Sequence, residues 1–324
     1  MTAGLSCPLN PRLVAALREV SVSPDGCSAE VAGTRLTGSD PRDLRGRLAN
    51  ALYETLHAGT PGPGSAAKEF RRDRDFEHQL ADAVPHACAP VDGVLLAAGD
   101  EELIVRTALV TVRVPRDRLA GPADAIPGAA VRLRLDAARP ALSPGFFYVL
   151  GSQQRRRPDP AVRRIFVHLT DPDGAVRVWR DVLRELESLH ADYHAKILSV
   201  RTGYPRRDAL VIYLHGEYQS VETAIARRLR DDRALGAATS VLAQRLARGV
   251  AAAWEPADSR PGQQHLSFGQ HRCFALATAL VDHALDPVEG TRELRITAEF
   301  RAAGIDPLRP QRNVPQRTGT PGRR

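Results

Sequence analysis

VRRIFVHLTDPDGAVRVWRDVLRELESLHADYHAKILSVRTGYPRRDALVIYLH, residues 162–215, changes its hydrophobic period three times. In Val162–Leu169 the apolar Ile165, Val167 and Leu169 alternate with Arg164, Phe166 and His168, which is the period of a strand. Trp179, Val182, Leu183, Leu186 and Leu189 then recur at helical spacing. Ala195–Arg201 returns to strand character, Thr202–Asp208 (TGYPRRD) reads as a turn, and Ala209–Leu214 as a third strand antiparallel to the second. A further helix is expected over Ser220–Arg230. The order β-α-β-β-α predicts an α+β fold, a largely antiparallel sheet with packed helices.

Outward from this unit, Thr239–Trp254 and Arg272–Ala284 also fit helices. Toward the N-terminus, Asn10-Pro11 starts one helix and Asp40-Pro41 another, the latter with a stripe of Leu44, Leu48, Leu52 and Leu56. A short strand is expected within Ser28–Leu36, a loop at 60–65 (TPGPGS) and a charged helix over Lys68–Val84. From Val91 to Leu135, short apolar runs broken by Gly, Asp and Pro indicate a small β-rich piece. Gln153–Pro160 is an arginine-rich loop. These divisions suggest an N-terminal helical and β region over 1–139 with a possible peptide-binding role, a catalytic region over 140–305, and a tail over 306–324 that is disordered at its end.

The 324 residues are 43% hydrophobic and 26% charged, a globular composition. No run approaches the roughly 18 apolar residues that span a bilayer, and no signal-peptide pattern opens the chain, so a cytoplasmic protein with no membrane role is expected. The four cysteines are scattered without a CxxC pair, which argues against a disulfide framework or a zinc site. Cys273 follows His271-Arg272, but a small buried hydrophobe is the simpler reading of it. The net charge of +7 suits an anionic partner, while 5% aromatics argue against base stacking and hence against nucleic acid. No dinucleotide-binding glycine motif, P-loop, HExxH or GxSxG occurs.

One bias is sharper. Of the 45 Lys and Arg residues only Lys68 and Lys196 are lysines, leaving 43 arginines. Arginine does not deprotonate in proteins, whereas a desolvated lysine can become a neutral base. Lys68 lies in a polar, glycine-rich stretch and reads as solvated, whereas Lys196 lies among apolar residues in His194-Ala195-Lys196-Ile197-Leu198. The candidate constellation is His168 on the first strand of this unit, Lys196 on the second and Tyr213 on the third, Arg206 and Arg207 in the hairpin loop, Arg201 before it, and His271 and Arg272 at a helix start that attracts anions. Amine, imidazole and guanidinium groups around one point suit chemistry on a phosphoester: arginine forks match phosphate oxygens, and histidine exchanges protons near neutral pH. Each residue also has a plain structural reading, as a packed or solvated side chain.

FFYVLGSQ (146–153), RIFVHL (164–169), HAKILSV (194–200), ALVIYL (209–214), SFGQHRC (267–273) and AGIDPLRPQRN (303–313) together resemble the HopA-type type III effector family. The resemblance covers about residues 40 to 315, and SFGQHRC is its most specific motif. That family also occurs in bacterial peptide natural-product clusters beside a kinase, and it is in turn similar to phosphothreonine lyases. The resemblance implies a lyase that removes phosphate from phosphoserine or phosphothreonine of a ribosomal precursor peptide, leaving dehydroalanine or dehydrobutyrine in a lanthipeptide-type pathway. By that likeness Lys196 is the base, His168 or His271 the acid, and Arg206, Arg207, Arg272 and Arg201 hold phosphate, with Tyr213 as a donor. In phosphothreonine lyases the histidine directly follows a phenylalanine; here Val167 separates Phe166 from His168. The implied partners are a phosphorylated precursor peptide, a kinase and a cyclase; no cofactor and no metal are implied. The rival readings are a non-catalytic subunit that binds phosphopeptide or leader peptide, and an effector acting on host proteins.

Overall fold

A computed structural model describes residues 9–59, 72–108, 110–121, 125–154, 161–287 and 291–314. In chain order the elements are α1 (Pro11–Ala16), β1 (Val20–Val22), β2 (Ser28–Val31), β3 (Thr34–Thr37), α2 (Pro41–Leu52) with a π-helical turn Tyr53–Ala58, α3 (Arg74–Asp82), β4 (Cys88–Ala98), β5 (Glu102–Thr107), β6 (Thr111–Pro115), β7 (Ala130–Asp136), β8 (Ala138–Ser143) and β9 (Phe146–Leu150). Then come β10 (Val162–Leu169), α4 (Pro172–Ser188), β11 (Asp192–Leu198), β12 (Arg206–His215), α5 (Gln219–Arg228), β13 (Gln244–Ala247), β14 (Val250–Trp254), α6 (Phe268–Leu285) and α7 (Arg292–Ala302). Seven strands in the order β13-β14-β10-β12-β11-β9-β8 form the central sheet, and every pairing in it is antiparallel. The fold is α+β, as the period changes in 162–215 predict.

The alternation in β10 decides the layers. Ile165, Val167 and Leu169 face α4 and α5, where Trp179, Val182, Leu183, Val221 and Ile225 complete one core. Phe166 faces the other way, into a second core with Phe268, Cys273 and Leu276 of α6 and Leu44, Leu48 and Leu52 of α2. α4 starts where Asp171 accepts from the Gly174 N–H with Pro172 at the first helical position. α6 starts at a reciprocal Ser267–Gln270 capping box. Among the described residues no helix is long and apolar enough to cross a membrane.

The expected boundary at 139/140 does not separate two cores. Residues 9–59 contribute Leu13, Val31 and the α2 stripe to the same core as α6 and α7, while Phe76 and Leu80 of α3 join the opposite one. Among the described residues, the sheet β6-β5-β4-β7 keeps a small core of its own, around Leu95, Leu103, Val105 and Leu133. The tail is also divided. Residues 306–314 are held against the body, with the Asn10 N–H donating to Pro307 O and the Trp254 N–H to Gln311 O, both at 2.9 Å. The tail's end (315–324), the TPGPGS loop, Lys68 and residues 155–160 lie outside the described residues.

Two local readings are corrected. Thr239–Trp254 is not a helix: its Gln244–Trp254 part is a β-hairpin, β13–β14, turning at Arg248-Gly249 with Gly249 in the left-handed region at φ +67°. Val250, Ala251, Ala252 and Ala253 are fully buried between the two cores. Alanine's helical preference yields there to a narrow slot inside the sheet. Arg206 and Arg207 do not lie in a loop: β12 starts at Arg206, and an irregularity sets Val167 opposite Leu210 but Leu169 opposite Arg206. Four residues of β12 thus span two of β10, which puts Asp208 on the face occupied by the π-turn.

Candidate active site

Lys196 pairs across the sheet with Val211 on one side and Tyr148 on the other. Its ammonium lies 4.4 Å from the centre of the Phe146 ring, and the amine makes no hydrogen bond to a described residue. The pKa falls to about 8, first through burial and then through Arg164 and Arg206, with Asp208 and Glu255 acting the other way. A half-buried amine without a carboxylate partner is what a lysine base requires.

The two arginines near it are oriented alike. Arg206 donates through Nε to Asp208 Oδ1 at 2.5 Å and through Nη2 to Asp208 Oδ2 at 3.1 Å and the Tyr53 hydroxyl at 2.8 Å. Arg164 grips Glu255 through Nε and Nη2. Each fork spends two nitrogens on a carboxylate and keeps Nη1 without a protein partner among the described residues. Asp208 is fully buried. Burial works to raise its pKa, but Arg206, His57 and Tyr53 outweigh that and hold it ionised. Tyr53 donates to Asp208 at 2.9 Å, and His57, buried, joins Ser240 Oγ at 2.9 Å. The π-turn thus fixes Asp208, and Asp208 fixes Arg206.

An aromatic row borders the amine. Tyr148, His194 and Tyr213 lie on neighbouring strands; His194 stacks on Tyr213 at 4.3 Å and on Tyr148 at 5.4 Å, and Arg164 covers the other Tyr213 face at 4.7 Å. Burial drives His194 down to about 3, helped by His215, Arg164 and Lys196, so it is a neutral spacer at physiological pH. Burial also raises both tyrosines, leaving their hydroxyls as donors rather than bases.

The other expected site residues lie elsewhere. His168 donates from Nδ1 to Ala238 O at 2.9 Å; burial holds its pKa below the usual value, and the cations acting on it are Arg207 and Arg248. Arg207 donates to Thr55 O at 3.0 Å. These two belong to a second basic neighbourhood. Three further residues are engaged away from Lys196. His271 is buried and accepts from Arg272 at Nδ1 (2.9 Å) while Nε2 donates to Asp258 at 2.8 Å, so neither nitrogen is left for a leaving group. Arg272 is fully buried; it donates to Pro310 O (3.2 Å), Asn313 Oδ1 (2.7 Å) and His271, and lies on Phe268 at 4.8 Å, so its fork is used up inside the protein. Arg201 lies by the opposite core, bonded to Asp173 at 2.8 Å and Gln79 at 3.1 Å and covering Phe76. Cys273 is buried, and burial pushes its thiol up, as befits a packed hydrophobe.

The profile of the HopA1 effector protein family matches residues 137–312, from β8 through the docked tail. The chain belongs to that family. Two solved effector structures from Pseudomonas syringae are similar to it. The effector protein from pathovar tomato strain DC3000 has a TM-score of 0.47 at 16% identity, over 81% of this chain and 87% of that one. The effector protein from pathovar syringae strain 61 has a TM-score of 0.40 at 14% identity, over 52% of this chain and 62% of that one. No curated protein matches the chain.

Within the HopA1-matched stretch, sequence reasoning missed Arg164, Glu255, Tyr148 and Asp208. Arg164 left a signal: it alternates onto the face of β10 that carries Phe166. Tyr53 and His57 lie outside the matched stretch and left none, because only packing of the π-turn on β12 brings them to Asp208.

Proposed function

We propose that this HopA1-family protein is a carbon–oxygen lyase that eliminates phosphate from phosphoserine or phosphothreonine in a ribosomal precursor peptide, giving dehydroalanine or dehydrobutyrine. The observation that carries the reading is the Lys196 amine, with a pKa of about 8 and no partner among the described residues, near two carboxylate-anchored arginines whose Nη1 likewise has none among them. Lys196 Nζ takes the Cα proton. The C–H pair becomes the Cα=Cβ bond, and the Cβ–O pair leaves with the phosphate. Arg164 and Arg206 receive the phosphate oxygens, and the proton removed from Cα ends on the phosphate by way of Lys196. The Tyr148 and Tyr213 hydroxyls serve the carbonyl oxygen on which charge develops. Such a substrate needs a kinase upstream, and its electrophilic product suits a thioether-forming cyclase downstream.

The test is the purified protein with a synthetic phosphopeptide, followed by mass spectrometry. Loss of phosphoric acid by the wild type and none by Lys196→Ala is expected. Full elimination by Lys196→Ala would remove the base assignment, and binding without turnover would leave a phosphopeptide-binding subunit instead.

A further inference from the structure

The second basic neighbourhood is not used by this chemistry. It is assembled at one end of the central sheet by three adjacent strands. Leu169 pairs with Arg206, which brings Arg207 beside His168; the His168 N–H donates to Gly249 O at 2.8 Å, which brings Arg248 to its other side. Unlike Arg164 and Arg206, neither Arg207 nor Arg248 has a carboxylate partner among the described residues. Arg207 is nevertheless half-buried, and Gly59, at φ +70°, makes room for it: a Cβ there would lie 2.4 Å from Arg207 Nε. With His168 Nδ1 committed to Ala238 O, its Nε2 has no hydrogen-bond partner among the described residues. Partly burying a cation without a counter-ion is costly, and an arriving anion offsets that cost.

We propose that Arg207, His168 and Arg248 form a second anion site, which takes a further acidic side chain of the substrate peptide, phosphoryl or carboxylate. The spacing follows from the sheet. Lys196 and Phe166 both pair with Val211, and His168 is two residues beyond Phe166. Two strand spacings and two residues separate the sites by about 12 Å. An extended peptide covers that in roughly three to four residues. The second anion therefore belongs three to four positions from the phosphorylated residue that reacts. The identity of the first site rests on the lyase reading.

The experiment uses the full chain and fluorescein-labelled peptides with one phosphoserine, alone or with a second phosphoserine or an aspartate placed one to eight positions away. Affinity is read by anisotropy and elimination by mass spectrometry. A second anion at three or four positions is expected to tighten binding about 10-fold over the singly phosphorylated peptide, with little gain at one or at eight. Arg248→Gln, exposed and safe for folding, and Arg207→Gln should bring that ratio toward one. Comparison of the phosphoserine and aspartate peptides identifies the preferred anion. Equal affinities in the wild type, or a ratio that survives both substitutions, would overturn the proposal. So would His168→Ala losing elimination of the singly phosphorylated peptide as fully as Lys196→Ala, because His168 would then act at the reacting phosphate. If no peptide is turned over, the lyase reading fails, while the binding ratios still decide the second site.

Discussion

Two arginine clusters on the α6 side of the sheet look alike in sequence and differ in what they leave unspent. Around Arg272, the guanidinium, the His271 ring, Asp258, Asn313 and the Pro310 carbonyl saturate one another. Around Lys196, among the described residues, Arg164 and Arg206 are each tied on one side and open on the other, and the amine has no partner. A closed polar network stiffens a fold, whereas an open one is available to a ligand. SFGQHRC, the most specific motif of the resemblance, therefore packs into the scaffold, and the plainer HAKILSV holds the lysine of the proposed chemistry.

The largest expected effect breaks this comparison on its open side. Lys196→Ala should lower the elimination rate by about 10³-fold or more with the melting temperature nearly unchanged, measured on a phosphopeptide. Arg164→Met should follow with a loss of about 10²-fold in kcat/KM, the scale of one missing donor to developing charge. On the closed side the sign reverses. Arg272→Met should destabilise by about 3 kcal/mol in denaturant titration, since it strands Asn313 and His271 inside the protein. If it instead weakened phosphopeptide binding in a fully folded protein, the division into open and closed clusters would fail.

Protonation sharpens the same contrast. Lys196 must lose its proton to act, so elimination should rise with pH through about 8. Stability should move at lower pH. His57, His194 and His271 have pKa values near 4, 3 and 4 in the folded chain, in each case first through burial. Below the unfolded value of about 6.5 the unfolded chain binds more protons than the folded one, so stability is lost as pH falls from there toward 4. A melting temperature flat between pH 7 and 4.5 would contradict those buried neutral rings. The smallest effect is Tyr53→Phe, which removes the hydroxyl joining Asp208 to Arg206. It should cost about 1 kcal/mol of stability and raise KM more than it lowers kcat.

Much of the frame was legible because it is local. The strand alternation in 162–169, the amphipathic spacing of α4, and the caps at Asn10 and Asp40 depend on neighbours within a few residues. The β13–β14 hairpin was not legible, since its alanines take strand form only because both faces of the sheet are covered. Nor was the role of each arginine, since the carboxylates that orient Arg164 and Arg206 are 91 and two residues away, and the groups that consume Arg272 include one 41 residues on.

By itself the sequence determined the β-α-β-β-α order and marked Lys196, a lysine kept in an apolar strand of a chain that otherwise writes its positive charge as arginine. Only the tertiary structure decided which cations remain free to meet a phosphate. Charge is a property of the residue, whereas a spare hydrogen-bond donor is what remains once the partners brought in by packing have taken theirs.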